Sequence, residues 1–267
     1  MKLGFIGAGN MAQAMIGGIL AKGIVKKDEI IASAATQKTI DKVSEEFGVN
    51  VTLDNTEVAK ADIVFLAVKP VYYQEVIDEI KSVVNENQII ISVAAGKSVE
   101  WVENAFGGEK KIVRIMPNTP ALVGEAVTAI CPNKNVSDEE KKVVSELLSS
   151  FGIAQFINEN IMDAVIAVSG SSPAYVFMFI EAMADAAVAQ GLPRNKAYTF
   201  AAQAVLGSAK MVLETGMHPG TLKDMVCSPG GTTIDAVCEL ERMGFRASVE
   251  SAMRVCGEKS KKMTEGK

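Results

Sequence analysis

The chain has 267 residues and a formal net charge of −5, with 48% hydrophobic and 22% charged residues, enough length for two domains with real cores. The acidic balance argues against a nucleic-acid or anionic-membrane partner, and no uninterrupted apolar run approaches ~18 residues, so no membrane span is expected. Cys131, Cys227, Cys238 and Cys256 show no C-x-x-C spacing and read as reduced thiols of a cytoplasmic protein. His218 is the single histidine and no acid cluster has ligand spacing, so no metal site is expected.

The first predicted element is a buried strand over 2–6, too short an apolar run for the core of a signal peptide. It ends at Ile6 and runs into Gly7-Ala8-Gly9-Asn10-Met11-Ala12, after which Met15, Ile16, Ile19 and Leu20 recur at helical spacing. This is the G-x-G-x-x-A form of the dinucleotide fingerprint. Gly7 permits the tight turn, Gly9 lets a pyrophosphate approach the backbone, and Ala12 lets helix pack on strand. Ile6, Ala8, Asn10 and Met11 complete the cofactor-binding loop. The second strand, 29–32, ends in Ser33-Ala34-Ala35-Thr36-Gln37-Lys38. NAD enzymes usually place an acid here for the ribose 2′-OH. None is present, so NADPH is expected as cofactor, with NADH the weaker alternative. Ser33 is expected to contact the cofactor, and Asp in its place to reverse the preference. Lys38 either meets the 2′-phosphate or is a solvated residue of the next helix.

Strand patterns continue at 63–66, 88–92, 111–115, 126–130 and 153–156, and helical periodicity fills 36–46, 71–84, 98–106 and 137–150, the last opening on a Ser137-x-x-Glu140 capping box. Short apolar strands alternating with helices predict a Rossmann-type, doubly wound, mostly parallel α/β sheet over residues 1–159. Its ligand belongs beyond the carboxyl ends of the strands. There lie Asn55 after a third strand, Ala67-Val68-Lys69-Pro70 after the fourth, and Val93-Ala94-Ala95-Gly96 after the fifth. Each alone reads equally as a simple turn; together they extend the cofactor site.

After Glu159 only helical patterns remain, so residues 160–267 are expected to form an all-α dimerisation and substrate domain. Its segment 173–190 is apolar on nearly every face, relieved mainly by Glu181 and Asp185, which read either as a solvated stripe or as site residues. A helix apolar all round must be covered, and a partner subunit is the natural cover. Further on, Cys227-Ser228-Pro229-Gly230-Gly231-Thr232-Thr233 makes a glycine-rich turn before a helix. Free N–H groups at a helix start seat a carboxylate, although a Ser or Thr there also serves as an ordinary cap.

The fingerprint at 7–12, Ala67-Val68-Lys69-Pro70, Arg114-Ile115-Met116-Pro117-Asn118-Thr119-Pro120, Ser169-Gly170-Ser171-Ser172-Pro173-Ala174-Tyr175 and the turn ending at Thr233 together resemble pyrroline-5-carboxylate reductase, from residue 3 to beyond 250. Ser172 stands where that family commonly has glycine. The resemblance implies reduction of the cyclic imine Δ1-pyrroline-5-carboxylate to L-proline by NADPH, the last step of proline biosynthesis. It implies a homodimer, in some members assembled further into rings. It also puts the Thr233 hydroxyl on the imine nitrogen, backbone N–H groups around Gly231 and Thr232 on the carboxylate, and Glu159 near cofactor and substrate. Imine reduction needs only a proton or hydrogen-bond donor at nitrogen, in keeping with a chain whose lone histidine sits before Pro219 in a turn. A related imine reductase or β-hydroxyacid dehydrogenase shares the architecture. The latter requires a lysine early in the second domain, and none occurs between Glu159 and Arg194. A non-catalytic NADPH-binding protein is the remaining alternative.

Overall fold

The computed structural model describes residues 1–265. Its strands are β1 (Leu3–Ile6), β2 (Ile30–Ser33), β3 (Asn50–Thr52), β4 (Ile63–Leu66), β5 (Ile89–Ser92), β6 (Lys111–Met116), β7 (Ala126–Pro132) and β8 (Gly152–Phe156). They form one sheet in the order β3-β2-β1-β4-β5-β6-β7-β8. Neighbours run parallel except at β6–β7, which is antiparallel. The helices are α1 (Asn10–Ala21), α2 (Gln37–Phe47), α3 (Asn55–Val58), α4 (Tyr73–Ile80), α5 (Val99–Phe106), α6 (Asp138–Leu148), α7 (Met162–Val165), α8 (Ser172–Ala189), α9 (Arg194–Thr215), α10 (Pro219–Val226), α11 (Thr232–Arg242) and α12 (Phe245–Thr264).

Every residue of β1, β4 and β5 is buried, as expected of parallel strands covered on both faces. Leu3 and Phe5 join Met15, Ile16 and Ile19 of α1 and Leu147 and Leu148 of α6 in one core. Ile6, Val64 and Leu66 point the other way, into a core with Tyr73, Ile77 and Ile80 of α4 and Val102 and Phe106 of α5. Each such side chain contributes roughly 1.5–3 kcal/mol on burial. The alternation that put successive residues on opposite faces thereby makes two cores from one sheet. The expected capping box is present, Ser137 and Glu140 satisfying each other's backbone N–H at the start of α6. The expected helix over 71–84 is shorter, because Pro70–Tyr72 first makes a 3-10 turn and α4 ends at Ile80.

Two compact units result: Met1–Ser171 together with the chain from Cys256 onward, and Ser172–Val255. Residues 159–171 are helical, yet they pack in the first unit, where Met162 and Ile166 are buried with Met116 and Cys131. Here α7 widens into a π turn, Ile166–Gly170. Asn118, buried, holds it by donating to the Ser169 carbonyl at 3.1 Å while accepting from the Val127 N–H at 3.0 Å. The end of α12 returns to the same unit: the Ser260 hydroxyl donates to Asp163 Oδ1 at 2.6 Å and the Cys256 thiol to Ser171 Oγ at 3.1 Å.

The second unit contains α8 to α11 and the start of α12. Its buried apolar residues are Ala184, Ala197 and Ala201, whereas Phe177, Met178, Phe200 and Leu213 are 63%, 69%, 66% and 70% exposed. The helical run Glu159–Ala189 contains an 18-residue window of mean hydropathy 1.4 and is, by length and composition alone, long and apolar enough to cross a membrane. The run is not an uninterrupted apolar stretch, since Asp163, Glu181 and Asp185 break it, and the expectation of no membrane span stands.

Candidate active site

The ends of β1, β2 and β4 meet at Gly7. Its φ of +95° favours glycine, its N–H donates to the Ser33 carbonyl at 3.0 Å, and a Cβ there would lie 2.8 Å from the Val68 nitrogen. A side chain would push the two strand ends apart. Gly9 differs: it starts α1 in extended conformation, and a Cβ would meet no atom within 4 Å. That open space lies beside the first amides of α1, a helix start without a side-chain cap or an acid in its first turn. A diphosphate fits such a cradle through the backbone N–H groups and the helix dipole. Around it, Ile6 and Ala8 are buried, Met11 half-buried and Asn10 exposed. Two residues that sequence reasoning missed brace the loop: Gln13 donates to the Ala8 carbonyl at 2.7 Å, and Lys42 donates to Gln13 at 3.1 Å.

A cleft of about 320 Å³ opens along these strand ends, walled by Gly7, Ala34, Ala35, Asn55, Val68 and Tyr72. Ser33, expected to contact the cofactor, closes β2. It is fully buried and donates to Asn55 Oδ1 at 2.7 Å, while the Asn55 amide donates to Glu79 at 2.7 Å. As the last residue of β2, Ser33 shares a face with Ile31 and is covered there by Asn55. The residues exposed at this turn are 35–38, among them Lys38. Thr36 is spent on capping α2.

At the ends of β4 and β5, Ala67 and Val68 are half-buried, Lys69 is exposed and Pro70 opens the 3-10 turn. Ala94 is buried, and Val93 and Ala95 are half-buried. Glu159 stands beyond them. Its Oε1 accepts from Arg114 Nη1 at 2.7 Å and from the Val99 N–H, at the start of α5, at 2.9 Å. The Arg114 side chain is 2% exposed, and among the described residues its Nε and Nη2 have no acceptor. Cys131 faces Arg114 across the β6–β7 ladder. Burial, then the Glu159 charge, pushes its thiol up to about 11. It is a protonated, inert thiol rather than a nucleophile.

In the second unit, Gly230 has φ +67° and the Gly231 N–H closes a turn onto the Ser228 carbonyl at 3.0 Å. Gly231 then begins α11 with no side-chain cap, and Thr232 (exposed) and Thr233 (half-buried) occupy its first two positions. The first amides of α11 thus have no side-chain cap, and Asp235 is the one acid of that turn. His218 caps α10, its Nδ1 accepting from the Gly220 N–H at 3.0 Å. Asp185 pairs with Arg194, tying α8 to α9, and Glu181 is exposed.

A glycine-turned strand–helix unit opening a mostly parallel sheet, followed by helices alone, defines a Rossmann-type dinucleotide oxidoreductase with a helical second half. Residues 2–96 match the family described as NADP oxidoreductase, coenzyme F420-dependent, and residues 159–263 match pyrroline-5-carboxylate reductase dimerisation. The chain is 52% identical to the pyrroline-5-carboxylate reductase of Escherichia coli over 99% of its length and 98% of that protein's. It is 44% identical to that of Methanosarcina acetivorans, over 98% and 97%. The chain belongs to the pyrroline-5-carboxylate reductase family. Among solved structures, the Plasmodium falciparum pyrroline carboxylate reductase with NADP bound superposes with a TM-score of 0.90 at 37% identity, covering 99% and 98% of the two chains. The pyrroline-5-carboxylate reductase of Coxiella burnetii gives 0.92 at 34%, covering 98% of each. The prephenate dehydrogenase of Aquifex aeolicus, at 14% identity and a TM-score of 0.56 over 92% and 98%, shares the fold alone.

Proposed function

We propose that this chain reduces Δ1-pyrroline-5-carboxylate to L-proline with NADPH, the last step of proline biosynthesis. The observation that carries the reading is the 52% identity to a pyrroline-5-carboxylate reductase over essentially both whole chains. The Gly9 cradle and the uncapped start of α11 support it, because the reaction needs a seat for a dinucleotide and one for a carboxylate. The test is oxidation of NADPH that depends on added imine.

When bound, the dinucleotide supplies the hydride to the C=N carbon. Residues 6–11 hold its diphosphate, Asn55 its adenosine half, and 67–70 with 93–95 its nicotinamide half. Ser33 acts from behind, by fixing Asn55 and Gly7. The amides of Gly231 and Thr232 hold the substrate carboxylate, and the Thr233 hydroxyl hydrogen-bonds to the nitrogen of the imine, bound in its protonated form. As the carbon–hydrogen bond forms, the nitrogen takes up the π electron pair and becomes the neutral amine of proline. No general base is required, in accord with a histidine spent on a helix cap. Glu159 borders the site and is held by Arg114.

Functionally the chain divides at residue 159, with 1–159 binding NADPH and 160–267 completing the substrate site and the subunit contact. The exposed apolar faces of α8 and α9 fit a homodimer interface, or a larger assembly built from dimers, rather than a membrane or nucleic acid. Four free cysteines fit a cytoplasmic location.

A further inference from the structure

Tyr73 is the first residue of α4, directly after the Lys69-Pro70 turn, and its side chain is 0% exposed. Its hydroxyl donates to the Leu66 carbonyl at 2.5 Å and accepts from the Val93 N–H at 3.0 Å and from the Ser92 hydroxyl at 3.3 Å. A phenol has one proton and two lone pairs, so all of its capacity is spent here. Leu66 and Ser92 are paired across β4–β5 and are the last residues of those strands. One oxygen thereby ties together the two points from which the 67–70 and 93–96 loops depart.

The ring serves the same loop from below. It packs on Trp101, with centroids 6.4 Å apart, and Lys97 lies over Trp101 with its ammonium 3.7 Å from the ring centroid. The β5–α5 loop is therefore anchored at Val93 by the phenol and at Lys97 through Trp101. At Gly96 it abuts the Met263 backbone, where a Cβ would approach to 3.3 Å.

We infer that Tyr73 is a positioning residue for the dinucleotide, setting the backbone of both nicotinamide-side loops without touching the cofactor. Burial pushes its phenol up to about 12, so it stays protonated at any working pH and acts by geometry, not by proton transfer. Tyr73→Phe keeps the ring and its packing on Trp101 but deletes the shared oxygen, freeing the Val93 N–H and the Ser92 hydroxyl.

The inference rests on the cofactor reading, so the test is direct NADP⁺ binding followed by calorimetry, with thermal unfolding and KM values measured in parallel. Tyr73→Phe is expected to weaken NADP⁺ binding and raise KM for NADPH by about three- to tenfold, the equivalent of about one hydrogen bond. KM for the imine should stay within about twofold. Ser92→Ala removes one partner without disturbing the ring; it should shift NADP⁺ binding in the same direction and by less, and it keeps the test usable if the first variant fails to fold. A Tyr73→Phe protein that binds NADP⁺ like the wild type, whatever its melting temperature, would make the phenol purely structural and overturn the inference. If Tyr73→Phe does not fold, a Ser92→Ala protein with unaltered NADP⁺ binding does the same. A wild-type protein that binds no NADP⁺ would instead overturn the cofactor reading, and the inference with it.

Discussion

Arg114 and Glu159, 45 residues apart in sequence, form an ion pair at 2.7 Å in which the guanidinium is 2% exposed and the carboxylate 32%. The same carboxylate oxygen accepts the Val99 N–H at the start of α5, so one group neutralises a buried cation and caps a helix. Removing one partner of a buried pair leaves a desolvated charge behind. Glu159→Ala should therefore lower stability to urea by about 3 kcal/mol, and Glu159→Gln, which keeps an acceptor, by clearly less. A Glu159→Ala protein as stable as the wild type would deny the pair this role.

The cofactor preference is expected to reside at the exposed turn after β2 rather than at Ser33. Ala35 is exposed there and lines the cleft. Ala35→Asp should repel a 2′-phosphate and pair with a ribose diol, reversing the ratio of kcat/KM for NADPH over NADH. Asp at buried Ser33 should mainly destabilise the fold, since no water reaches it to solvate the charge. A wild-type enzyme preferring NADH tenfold would refute this account of the turn.

Features carried by adjacent residues were legible in the sequence. The Gly7 and Gly9 turn, the β2 end without an acid, the Ser137–Glu140 box and the turn before Thr233 are all local patterns, and the structure places them at strand and helix ends as expected. What escaped depends on contacts across long separations. Tyr73 looks like one more core position of an amphipathic helix, and nothing nearby marks Leu66 and Val93 as its partners. Arg114 reads as an inward residue of a strand until Glu159 arrives from the domain junction. Ser33 stands just before an exposed turn, and it is the hydrogen bond to Asn55, 22 residues on, that accompanies its burial. The π turn at 166–170 has no periodic signature short enough to notice.

Alkaline pH probes the buried groups. Burial raises Tyr73 from 10 to about 12 and Cys131 from 9 to about 11. Both hold their protons more tightly folded than unfolded. Their contribution is complete below pH 9 and is lost as pH climbs to about 12, each tenfold gain in proton affinity being worth about 1.4 kcal/mol. Urea unfolding followed from pH 8 to 12 should show this falling limb, and Tyr73→Phe should flatten its upper part. A variant limb superimposable on the wild type would show that the phenol is not desolvated as described.

The second unit is expected to be covered by another subunit. Phe177 and Met178, 63% and 69% exposed, are harmless sites for glutamate in a lone chain and damaging ones in an apolar interface. Sedimentation should find the wild type as a dimer or larger, and Phe177→Glu or Met178→Glu as monomer or aggregate. A fully active wild-type monomer at micromolar concentration would contradict this.

The most direct measurement is steady-state oxidation of NADPH with and without pyrroline-5-carboxylate, for the wild type, Thr233→Val and Thr232→Val. The wild type should oxidise NADPH only when the imine is present and yield proline. Thr233→Val deletes a hydrogen bond to a charged nitrogen, worth about 1.5–3 kcal/mol, and should lower kcat/KM for the imine by about ten- to hundredfold with little change in NADPH binding. Thr232→Val, whose backbone N–H is the contributing group, should lose severalfold less. No imine-dependent oxidation by the wild type would contradict the assigned reaction. An undiminished Thr233→Val, or a more damaged Thr232→Val, would contradict the roles given to the turn that opens α11.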